Sequence, residues 1–261
     1  MNQPLAYIHP QAKIARNVVI EPFVTIDKNV IIKEGTWIGS NVTIMEGARI
    51  GKNCKVYPGA VISSTPQDLK YEGEETTAEI GDNTIIREFV TISRGTVDKH
   101  KTVIGKNCLI MAYAHVAHDC IIHDNVILAN ASQVAGHVVI DEYATIGGAS
   151  AVHQFVHIGS HVMLSGGSLV SKDVPPITKA ARKPLSYCGI NSVGLRRRGY
   201  KNEKINEIQE IYRHIFLKGL NNSKALDFIE LELSPSKERD IIINFIRNSN
   251  RGIMRGYSRI R

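Results

Sequence analysis

The chain has 261 residues, of which 43% are hydrophobic and 6% aromatic, and it carries a formal net charge of +7. This length supports a substantial core in one or two domains. No apolar stretch approaches the ~20 residues that a membrane-spanning helix needs, which argues against an integral membrane segment. Because the N-terminus lacks the basic and then apolar pattern of a signal peptide, we expect a cytoplasmic protein.

A six-residue repeat dominates the first 175 residues. Ile, Leu or Val begins a block at 8, 14, 20, 26, 32, 38, 44, 50 and 56, again at 80 and 86, and at every sixth position from 104 to 170. The fifth residue of each block is small or β-branched, as in Ala12, Thr36 and Ser150. No helix fits a strict period of six, and two positional rules obeyed together at one short period are typical of a solenoid.

The repeat resembles that of the hexapeptide acyltransferases, whose fold is a left-handed parallel β-helix. This resemblance implies three blocks in each triangular coil, with residues eighteen apart in register. The leading aliphatic side chains should stack inside the prism, where each contributes roughly 1.5–3 kcal/mol before entropy is subtracted. Cys54, Cys108 and Cys120 occupy fifth positions. We expect them to be small packed residues of a reduced protein rather than disulfides or metal ligands.

Two segments interrupt the repeat, at 63–79 and 93–103. Insertions in a solenoid become loops that project from the prism, and such loops often bind ligands. The first loop carries Asp68, Lys70 and Tyr71 among other polar residues. On spacing alone, a tolerated surface insertion and a polar ligand contact are equally consistent with this composition.

The six-residue period ends near Pro175-Pro176, and helical spacing begins after a linker. We predict three helices. Asn202 and Gly219 mark the start and the end of the first, Ser223 the start of the second, and Ser234-Pro235 the start of the third. Apolar residues at helical spacing mark them: Ile205, Ile208, Ile211, Tyr212 and Ile215; Leu226, Ile229 and Leu233; Ile241, Ile242, Phe245 and Ile246. The sequence therefore predicts an all-β solenoid domain at 1–178, followed by a linker and a C-terminal α-helical domain at 179–261.

Positive charge is concentrated towards the C-terminus. Residues 179–261 hold 18 Lys and Arg against 8 Asp and Glu, a net charge of +10, whereas residues 1–178 carry −3. A basic domain of this kind suggests an anionic partner or ligand. The run Arg196-Arg197-Arg198 is either a solvated loop or a clamp for phosphates. No recognised nucleic-acid-binding motif accompanies the charge, so we expect no nucleic acid partner.

A column of polar residues should run along one side of the prism. His118 is third in its block, and Gly136 with His137, then His153 with Gln154, follow on successive coils, which lie ~4.8 Å apart as β-strands do. One of these histidines alone could be an ordinary surface residue. Three histidines and a glutamine in one column indicate a functional site.

Asp119 directly follows His118. An adjacent carboxylate can fix the imidazole tautomer and stabilise the imidazolium, which suits His118 as a general base for a hydroxyl nucleophile. Many His-Asp pairs are inert, but the surrounding column favours catalysis here. Gly136 is either a turn glycine or a backbone N–H donor to a developing oxyanion. Gly148 and Gly166 either form turns or leave a shallow groove for a long acyl chain.

A zinc site is an alternative to acid–base catalysis. The spacing of His118 and His123 resembles that of two ligands in the γ-class carbonic anhydrases, which share this fold. Those enzymes need a third histidine about two coils earlier, where this chain has Asp82-Asn83. His115 is a further candidate, at a different position in the coil. Since zinc usually needs three convergent protein ligands, we predict no metal and no cofactor.

Five segments, in order along the chain, carry a more specific resemblance. They are Pro66-Gln67-Asp68-Leu69-Lys70-Tyr71, Ala114-His115-Val116-Ala117-His118-Asp119-Cys120, Ala135-Gly136-His137-Val138, Ala151-Val152-His153-Gln154-Phe155 and Asp173-Val174-Pro175-Pro176. On these residues the chain resembles the acyl-carrier-protein-dependent UDP-N-acetylglucosamine O-acyltransferases that begin lipid A synthesis. The resemblance covers nearly the whole length, including the helical domain.

This resemblance implies a reaction and an assembly. The 3-hydroxyl of UDP-N-acetylglucosamine would attack the thioester of a (3R)-hydroxyacyl carrier protein, in a homotrimer whose active sites lie in clefts between neighbouring chains. His118 would deprotonate the hydroxyl, Asp119 would orient His118, and the N–H of Gly136 would hold the oxyanion. The carrier protein is acidic, which suits the basic C-terminal domain.

Other residues match family positions near the substrates. Those near the sugar, the phosphates or the acyl group are Asp68, Lys70, His115, His137 and Gln154. Asn191, Arg197 and Arg198 match the nucleotide-contacting region. His153 matches a histidine near the acyl chain. Gly166 falls where the family sets acyl length, and glycine there resembles the long-chain members.

Two residues depart from the family pattern, and two further alternatives stay open. Ser93 stands where many members have His, and Val193 where many have Glu. Uracil contacts and some acyl-side contacts are therefore not determined. The sequence also leaves open the acyl length and the choice between a 3-hydroxyl and a 3-amino sugar. The N-acyltransferase that acts later on the same pathway carries an extra N-terminal domain, whereas the repeats here begin at Ile8. A non-catalytic solenoid would need no polar column.

Overall fold

The computed structural model describes residues 4–256, and the strands within them form a three-sided prism. The first sheet is ordered β1 (Tyr7–Ile8), β4 (Thr25–Ile26), β7 (Thr43–Ile44), β10 (Val61–Ser64), β13 (Thr91–Ser93), β16 (His115–Val116), β19 (Gln133–Val134), β22 (Ala151–Val152) and β25 (Leu169–Val170). The second is ordered β2 (Lys13–Ile14), β5 (Ile31–Ile32), β8 (Ala48–Ile50), β11 (Thr77–Ile80), β14 (Lys101–Ile104), β17 (Ile121–Ile122), β20 (Val139–Ile140) and β23 (His157–Ile158). The third, from the N-terminal end, is β3 (Val19–Ile20), β6 (Trp37–Ile38), β9 (Lys55–Val56), β12 (Ile85–Ile86), β15 (Leu109–Ile110), β18 (Ile127–Leu128), β21 (Thr145–Ile146), β24 (Met163–Leu164), β26 (Thr178–Ala181) and β27 (Ser186–Ile190).

Each solenoid strand pairs in parallel with the strand one coil away. In the first sheet His115 pairs with Gln133, and Gln133 pairs with Ala151, which is the eighteen-residue register. The predicted left-handed parallel β-helix is confirmed. The chain turns at three corners, named here by the sheets they join: the first corner from the first sheet to the second, the second corner from the second to the third, and the third corner from the third back to the first.

The fourth residue of a block lies at a corner, and its backbone dihedral angles fall in the left-handed region. Asp119, His137 and Phe155 have φ of 58°, 62° and 64°. Such angles are uncommon for side chains other than Gly, Asn and Asp, so the ladders on either side must hold them there. Polar and aromatic side chains are therefore fixed in rows along each corner, where they can form a site.

The core is the stack of leading and fifth residues inside the prism. Leading residues from Ile26 to Val170 are buried, and Ile26 and Ile110 are fully so. Ile8, Ile14 and Ile20 are only partly buried, because the first coil has a neighbour on one side only. In a solenoid each coil is stabilised by its neighbours, so the ends are weaker than the middle.

Residues 178–190, where we expected a linker, form a hairpin that extends the third sheet. β26 pairs in parallel with β24 and antiparallel with β27. This pairing depends on the exposed edge of the last coil, which no local pattern in the hairpin sequence reveals. The division into domains at residue 178 stays a prediction.

Four helices follow within the described residues: α1 (Ser192–Arg197), α2 (Asn202–Phe216), α3 (Asn222–Glu232) and α4 (Lys237–Arg247). The short α1 was not predicted. Lys201, not Asn202, is the N-cap of α2, and Asn221 and Ser236 cap α3 and α4. Leu233 lies just beyond α3 as its C-cap, and Ile243 rather than Ile241 faces the core of α4.

The helices close the end of the solenoid. The fully buried Tyr212 of α2 donates its hydroxyl to the carbonyl of Pro176, and its ring stacks on Tyr187 of β27. Burial of these rings covers the last coil with apolar surface. Across residues 4–256 no helix combines the length and the apolarity that crossing a bilayer requires.

Candidate active site

The first corner brings the polar column together. His118, Gly136 and Gln154 are third in equivalent blocks of successive coils. The backbone is bonded from coil to coil: His137 N–H donates to His118 O at 3.1 Å, and Phe155 N–H donates to Gly136 O at 3.1 Å. The ladder therefore places each of these residues directly beside the next one.

His118 is a half-buried imidazole held by a buried carboxylate. Its Nδ1 lies 2.9 Å from Oδ2 of Asp119, and 12% of the His118 side chain is exposed. With Nδ1 bonded to the carboxylate, Nε2 faces away from it, and the nearest carboxylate oxygen on that side is Oδ2 of Asp68 at 4.0 Å. The pair is arranged as a base with an orienting partner.

Asp119 is ionised by its surroundings. Burial raises the pKa of its carboxyl, but hydrogen bonds from Thr96, His118 and the backbone of Lys99 outweigh burial and lower the pKa below its ordinary value. The side chain has no exposed surface. A buried carboxylate that stays charged can hold the imidazole in one tautomer and stabilise the imidazolium.

Gly136 leaves the space that the imidazole occupies. A Cβ at this position would lie 2.7 Å from Cε1 and 2.8 Å from Nε2 of His118, closer than real Cβ contacts. Within residues 4–256, no backbone or side-chain acceptor takes the N–H of Gly136. The glycine therefore serves the site in two ways, by making room for the ring and by leaving a free donor beside it.

A cleft of about 390 Å³ opens on the first sheet next to this corner. Its lining includes Gln67 and Ser93 beside the two loops, and His115, His118, Gly136 and Gln154 from successive coils. His115 Nδ1 bonds to Oγ1 of Thr91 at 2.7 Å, and burial, then the charge of His118, lowers the pKa of His115. With Nδ1 of a neutral His115 bonded to Thr91, its Nε2 is left to donate or to accept one hydrogen bond, according to the tautomer.

His137 lies on the other side of His118 and is held on three sides. Its ring meets the His118 ring edge to face at 5.1 Å and stacks on Phe155 at 4.5 Å. Its Nδ1 bonds to Oδ2 of Asp98 at 3.1 Å. A second His-Asp pair thus adjoins the first, with its carboxylate supplied by the second loop.

The two loops interlock beside the cleft. The guanidinium of Arg94 donates to the hydroxyl of Tyr71 and to the carbonyl of Glu46, and Thr76 Oγ1 donates to the carbonyl of Gly95 at 2.6 Å. Asp68 and Lys70 precede Tyr71 on this tied loop; Lys70 is exposed, and Lys70 N–H donates to Oδ1 of Asp68 at 3.0 Å. Asp68 therefore lies near His118, and the exposed Lys70 follows two residues later.

Comparisons with known proteins agree along the chain. A model described as bacterial transferase hexapeptide matches residues 29–64 and 101–136, and one described as UDP N-acetylglucosamine O-acyltransferase, domain 2, matches residues 173–254. The acyl-(acyl-carrier-protein)–UDP-N-acetylglucosamine O-acyltransferase of Aquifex aeolicus is 63% identical over 75% of each chain. That of Trichlorobacter lovleyi is 52% identical over 96% of this chain and 98% of its own. This chain belongs to that O-acyltransferase family.

Solved structures of the family share the whole fold. The UDP-N-acetylglucosamine acyltransferase from Bacteroides fragilis is 51% identical, with a TM-score of 0.96 over 98% of this chain and 100% of its own. The Acinetobacter baumannii structure is 42% identical, with a TM-score of 0.94 over 97% and 99%. The β-helix and the helical domain of this O-acyltransferase therefore follow those of its relatives.

The first sheet has the cleft at its first-corner edge and the third corner at its other edge. Gly148 and Gly166 lie at that corner, between the third and first sheets, and a Cβ on Gly166 would lie 3.1 Å from the carbonyl of Gly148. Gly166 is exposed. His153 sits in the first-corner column, where its Nδ1 bonds to the carbonyl of Gln154 at 3.1 Å and lies 3.4 Å from the guanidinium of Arg251.

The predicted nucleotide residues lie at a different corner. Asn191 caps α1 and donates to the carbonyl of His161, and Arg198 lies over the ring of Tyr143 at 4.8 Å. Tyr143 and His161 belong to the second corner, so the second sheet separates this group from His118 in one chain. Arg197 is exposed on the same short helix. One chain therefore does not bring together all the residues predicted to form the site.

The donor set around His118 fits acid–base chemistry better than a metal. His118, Asp119 and His137 have ligand atoms within 4.8 Å of one another. Both oxygens of Asp119 already accept two hydrogen bonds each, from Thr96, Lys99 and His118. A metal ion would have to break several of these bonds. His123 directly follows β17, with its Nε2 3.9 Å from Oδ1 of Asp141, and does not converge with His118.

Sequence reasoning missed several residues of the second loop. Thr96, Asp98 and Lys99 bond to the site, and Thr102 Oγ1 accepts the N–H of Asp119 at 2.9 Å. These pairs are separated by 17 to 39 residues. The interruption of the repeat shows where the loop lies. The loop itself has no period, so the sequence does not predict which of its residues face the site.

Proposed function

We propose that this protein transfers a (3R)-3-hydroxyacyl group from the thioester of acyl carrier protein to the 3-hydroxyl of UDP-N-acetylglucosamine, the first step of lipid A synthesis. Membership of the O-acyltransferase family supports the reaction. The observation that carries the chemistry is the imidazole of His118, bonded through Nδ1 to the buried Asp119 and directed through Nε2 towards the cleft.

His118 acts as the general base. Its Nε2 removes the proton of the sugar hydroxyl as the oxygen attacks the thioester carbonyl, and Asp119 stabilises the imidazolium that forms. When the tetrahedral intermediate collapses, the C–S bond breaks. The carrier-protein thiolate leaves and takes the proton back from His118, so the base is restored. No cofactor is needed in this sequence of steps.

Gly136 stabilises the oxyanion of the tetrahedral intermediate. Its N–H lies beside His118 and donates to no protein acceptor within the described residues. A fixed backbone donor at the position where charge develops is one of the larger contributions to acyl transfer, because it needs no reorganisation during the reaction.

Residues around the cleft bind the two substrates. Asp68, Lys70, His115, His137 and Gln154 contact the sugar, the phosphates and the acyl head. His153 lies near the acyl chain, which follows the first sheet towards Gly148 and Gly166. The exposed Gly166 at the third corner supports this path, since a side chain there would take up space beside the carbonyl of Gly148 and shorten the chain that fits.

The working assembly is a homotrimer with each site shared between neighbours. His118 and the group Asn191, Arg197 and Arg198 lie at different corners of one chain, separated by the second sheet. A neighbouring chain that brings its second corner to this cleft would supply the guanidinium groups to the diphosphate, for which Arg geometry is suited.

The basic helical domain contacts the acidic carrier protein, and the enzyme works in the cytoplasm. Opposite charges speed the encounter of two proteins. Cys54, Cys108 and Cys120 are buried free thiols, as expected in a reducing compartment. Burial raises the pKa of Cys120 to about 12, which keeps this thiol protonated and inert.

Replacement of His118 by Ala tests the base. We expect turnover to fall ~10²–10⁴-fold, the usual contribution of a positioned base, while size-exclusion chromatography shows an unchanged assembly. Acylated sugar nucleotide is quantified by mass spectrometry after incubation with hydroxyacyl carrier protein and UDP-N-acetylglucosamine. The matched control is His123→Ala, a half-exposed histidine directly after β17, whereas His118 lies before that strand. Near-normal turnover of the His118 variant would falsify the assignment.

A further inference from the structure

The second loop closes over Asp119 with a set of directed hydrogen bonds. The N–H of Thr96 donates to Oδ1 at 3.0 Å, and the N–H of Lys99 to the same oxygen at 3.3 Å. The hydroxyl of Thr96 donates to Oδ2 at 2.6 Å. Lys99 Nζ donates to the carbonyl of Asp119 at 3.1 Å, and the N–H of Asp119 donates to Thr102. The loop thus holds both the side chain and the backbone of Asp119.

The hydroxyl of Thr96 is the side chain among these groups that shares an oxygen with the imidazole. Oδ2 of Asp119 accepts the Thr96 hydroxyl and faces Nδ1 of His118 at 2.9 Å. The oxygen of the Thr96 hydroxyl also accepts a hydrogen bond from the N–H of Asp98 at 3.3 Å, which restricts the direction in which the hydroxyl can donate. A chain therefore runs from Asp98 N–H through Thr96 and Asp119 to His118. Bonds in such a chain polarise and strengthen one another.

Thr96 is buried, with 5% of its surface exposed, and lies outside the cleft lining. It therefore does not touch substrate, and any effect on the reaction passes through Asp119. The two groups bonded to Oδ2, the Thr96 hydroxyl and Nδ1 of His118, together fix where that oxygen lies relative to the imidazole.

We propose that Thr96 is a positioning residue for acyl transfer, whose hydroxyl orients Asp119 and so holds the Nε2 of His118 aimed at the sugar hydroxyl. The inference rests on the proposed function, since it assigns Thr96 to the base proposed there.

Thr96→Val, which keeps the shape and removes the hydroxyl, tests the proposal. Loss of a hydrogen bond to a charged group should lower kcat about 10–100-fold, with the KM for UDP-N-acetylglucosamine little changed. With one donor fewer on Oδ2, the carboxylate stabilises imidazolium more strongly. The acidic limb of the kcat/KM profile should then move up by about one pH unit. Thr96→Ser, which restores the donor, should recover most of kcat and return the limb.

Thr84→Val is the matched control for the loss of a buried threonine hydroxyl. Thr84 Oγ1 donates to the carbonyl of Gly105 at 2.8 Å and accepts the N–H of Cys108, far from Asp119. This variant should lose a similar amount of stability with no shift of the acidic limb. If Thr96→Val fails to fold, Thr96→Cys replaces it, and its weaker donor should give an intermediate shift.

The outcomes separate this inference from the proposed function. An inactive His118→Ala enzyme together with an unshifted limb and unchanged kcat in Thr96→Val overturns the role of Thr96 alone. Retained turnover in His118→Ala overturns the base itself, whatever Thr96 does. A lower kcat in Thr96→Val without movement of the limb reduces Thr96 to a structural residue and also rejects the proposal.

Discussion

At the scale of single residues, the site depends on side chains whose freedom has been removed. The backbone of Asp119 is held at φ 58°, its side chain is fully buried, and its oxygens accept four hydrogen bonds. His118 occupies the space that a Cβ at Gly136 would take. A base held this rigidly meets its substrate with little loss of conformational entropy, which is a general requirement for fast transfer.

The lowered pKa of Asp119 predicts how stability depends on pH. The unfolded chain binds this proton near the ordinary value of 3.8, and the folded protein binds it only at lower pH. Above pH 3.8 the stabilisation is fully present, and it is lost as the pH falls through the folded pKa.

We therefore expect Asp119→Asn to show a flatter fall in unfolding midpoint between about pH 4 and pH 2 than the unaltered protein. Thermal unfolding followed by circular dichroism across this range measures the slope. Asp227→Asn, which removes a carboxylate with 68% of its side chain exposed, is the control for the loss of one charge. Parallel curves for Asp119→Asn and the unaltered protein would contradict the link between these hydrogen bonds and stability.

At the scale of elements, each coil is a repeated unit, and its contribution to the free energy of unfolding depends on the coils next to it. Ile110 leads a middle block and is fully buried between coils, whereas Ile14 leads a block of the first coil and is partly exposed. The same side chain at the same block position thus removes different amounts of apolar surface from water.

Truncation of these two isoleucines should therefore have unequal costs. Ile110→Ala leaves a cavity that the flanking coils hold open, and should lower the free energy of unfolding by about 2–5 kcal/mol. Ile14→Ala should cost less than half as much, because part of the side chain is already in water. Urea unfolding of the two variants measures the difference. Equal costs would show that the coils do not contribute as a stack of neighbours.

The loops and the hairpin are elements of another kind. The breaks in the repeat marked where the loops begin, but their inward-facing residues, such as Thr96 and Asp98, follow no period. The hairpin of β26 and β27 pairs with the edge of β24. Its position therefore depends on the edge of a solenoid strand, which the hairpin sequence itself does not reveal. Local pattern predicts elements well only when each element repeats the same environment.

At the scale of the whole molecule, the separation of His118 from Arg198 is the main constraint on function. The first group lies at the first corner and the second at the second corner, with the second sheet between them. A rigid prism cannot bring two of its own corners together. The shared site proposed above resolves this separation by taking one corner from each of two neighbours.

Mixed assemblies test the shared site. In the proposed shared site, His118→Ala chains would lack the base and Arg198→Ala chains would lack a phosphate contact, so each homotrimer should be weak. Co-expression in equal amounts should restore about one quarter of the sites, because a site is intact only where each neighbour supplies the residue the other lacks. Initial rates of purified mixed trimers at low sugar-nucleotide concentration measure the recovery. Rates no higher than the mean of the two parents would place both residues in one chain's site.

The amino-acid sequence alone determined the β-helix, its eighteen-residue register and the column from His118 to Gln154, because a strict short period assigns every residue to a face. It also placed the main helices of the C-terminal domain, with ends displaced by a few residues. Only the tertiary structure decided that the second loop folds back onto Asp119, that residues 178–190 extend the third sheet, and that Arg198 lies at another corner. Those contacts join irregular segments at no fixed spacing, and packing and hydrogen-bond geometry, rather than periodicity, determine which residues meet.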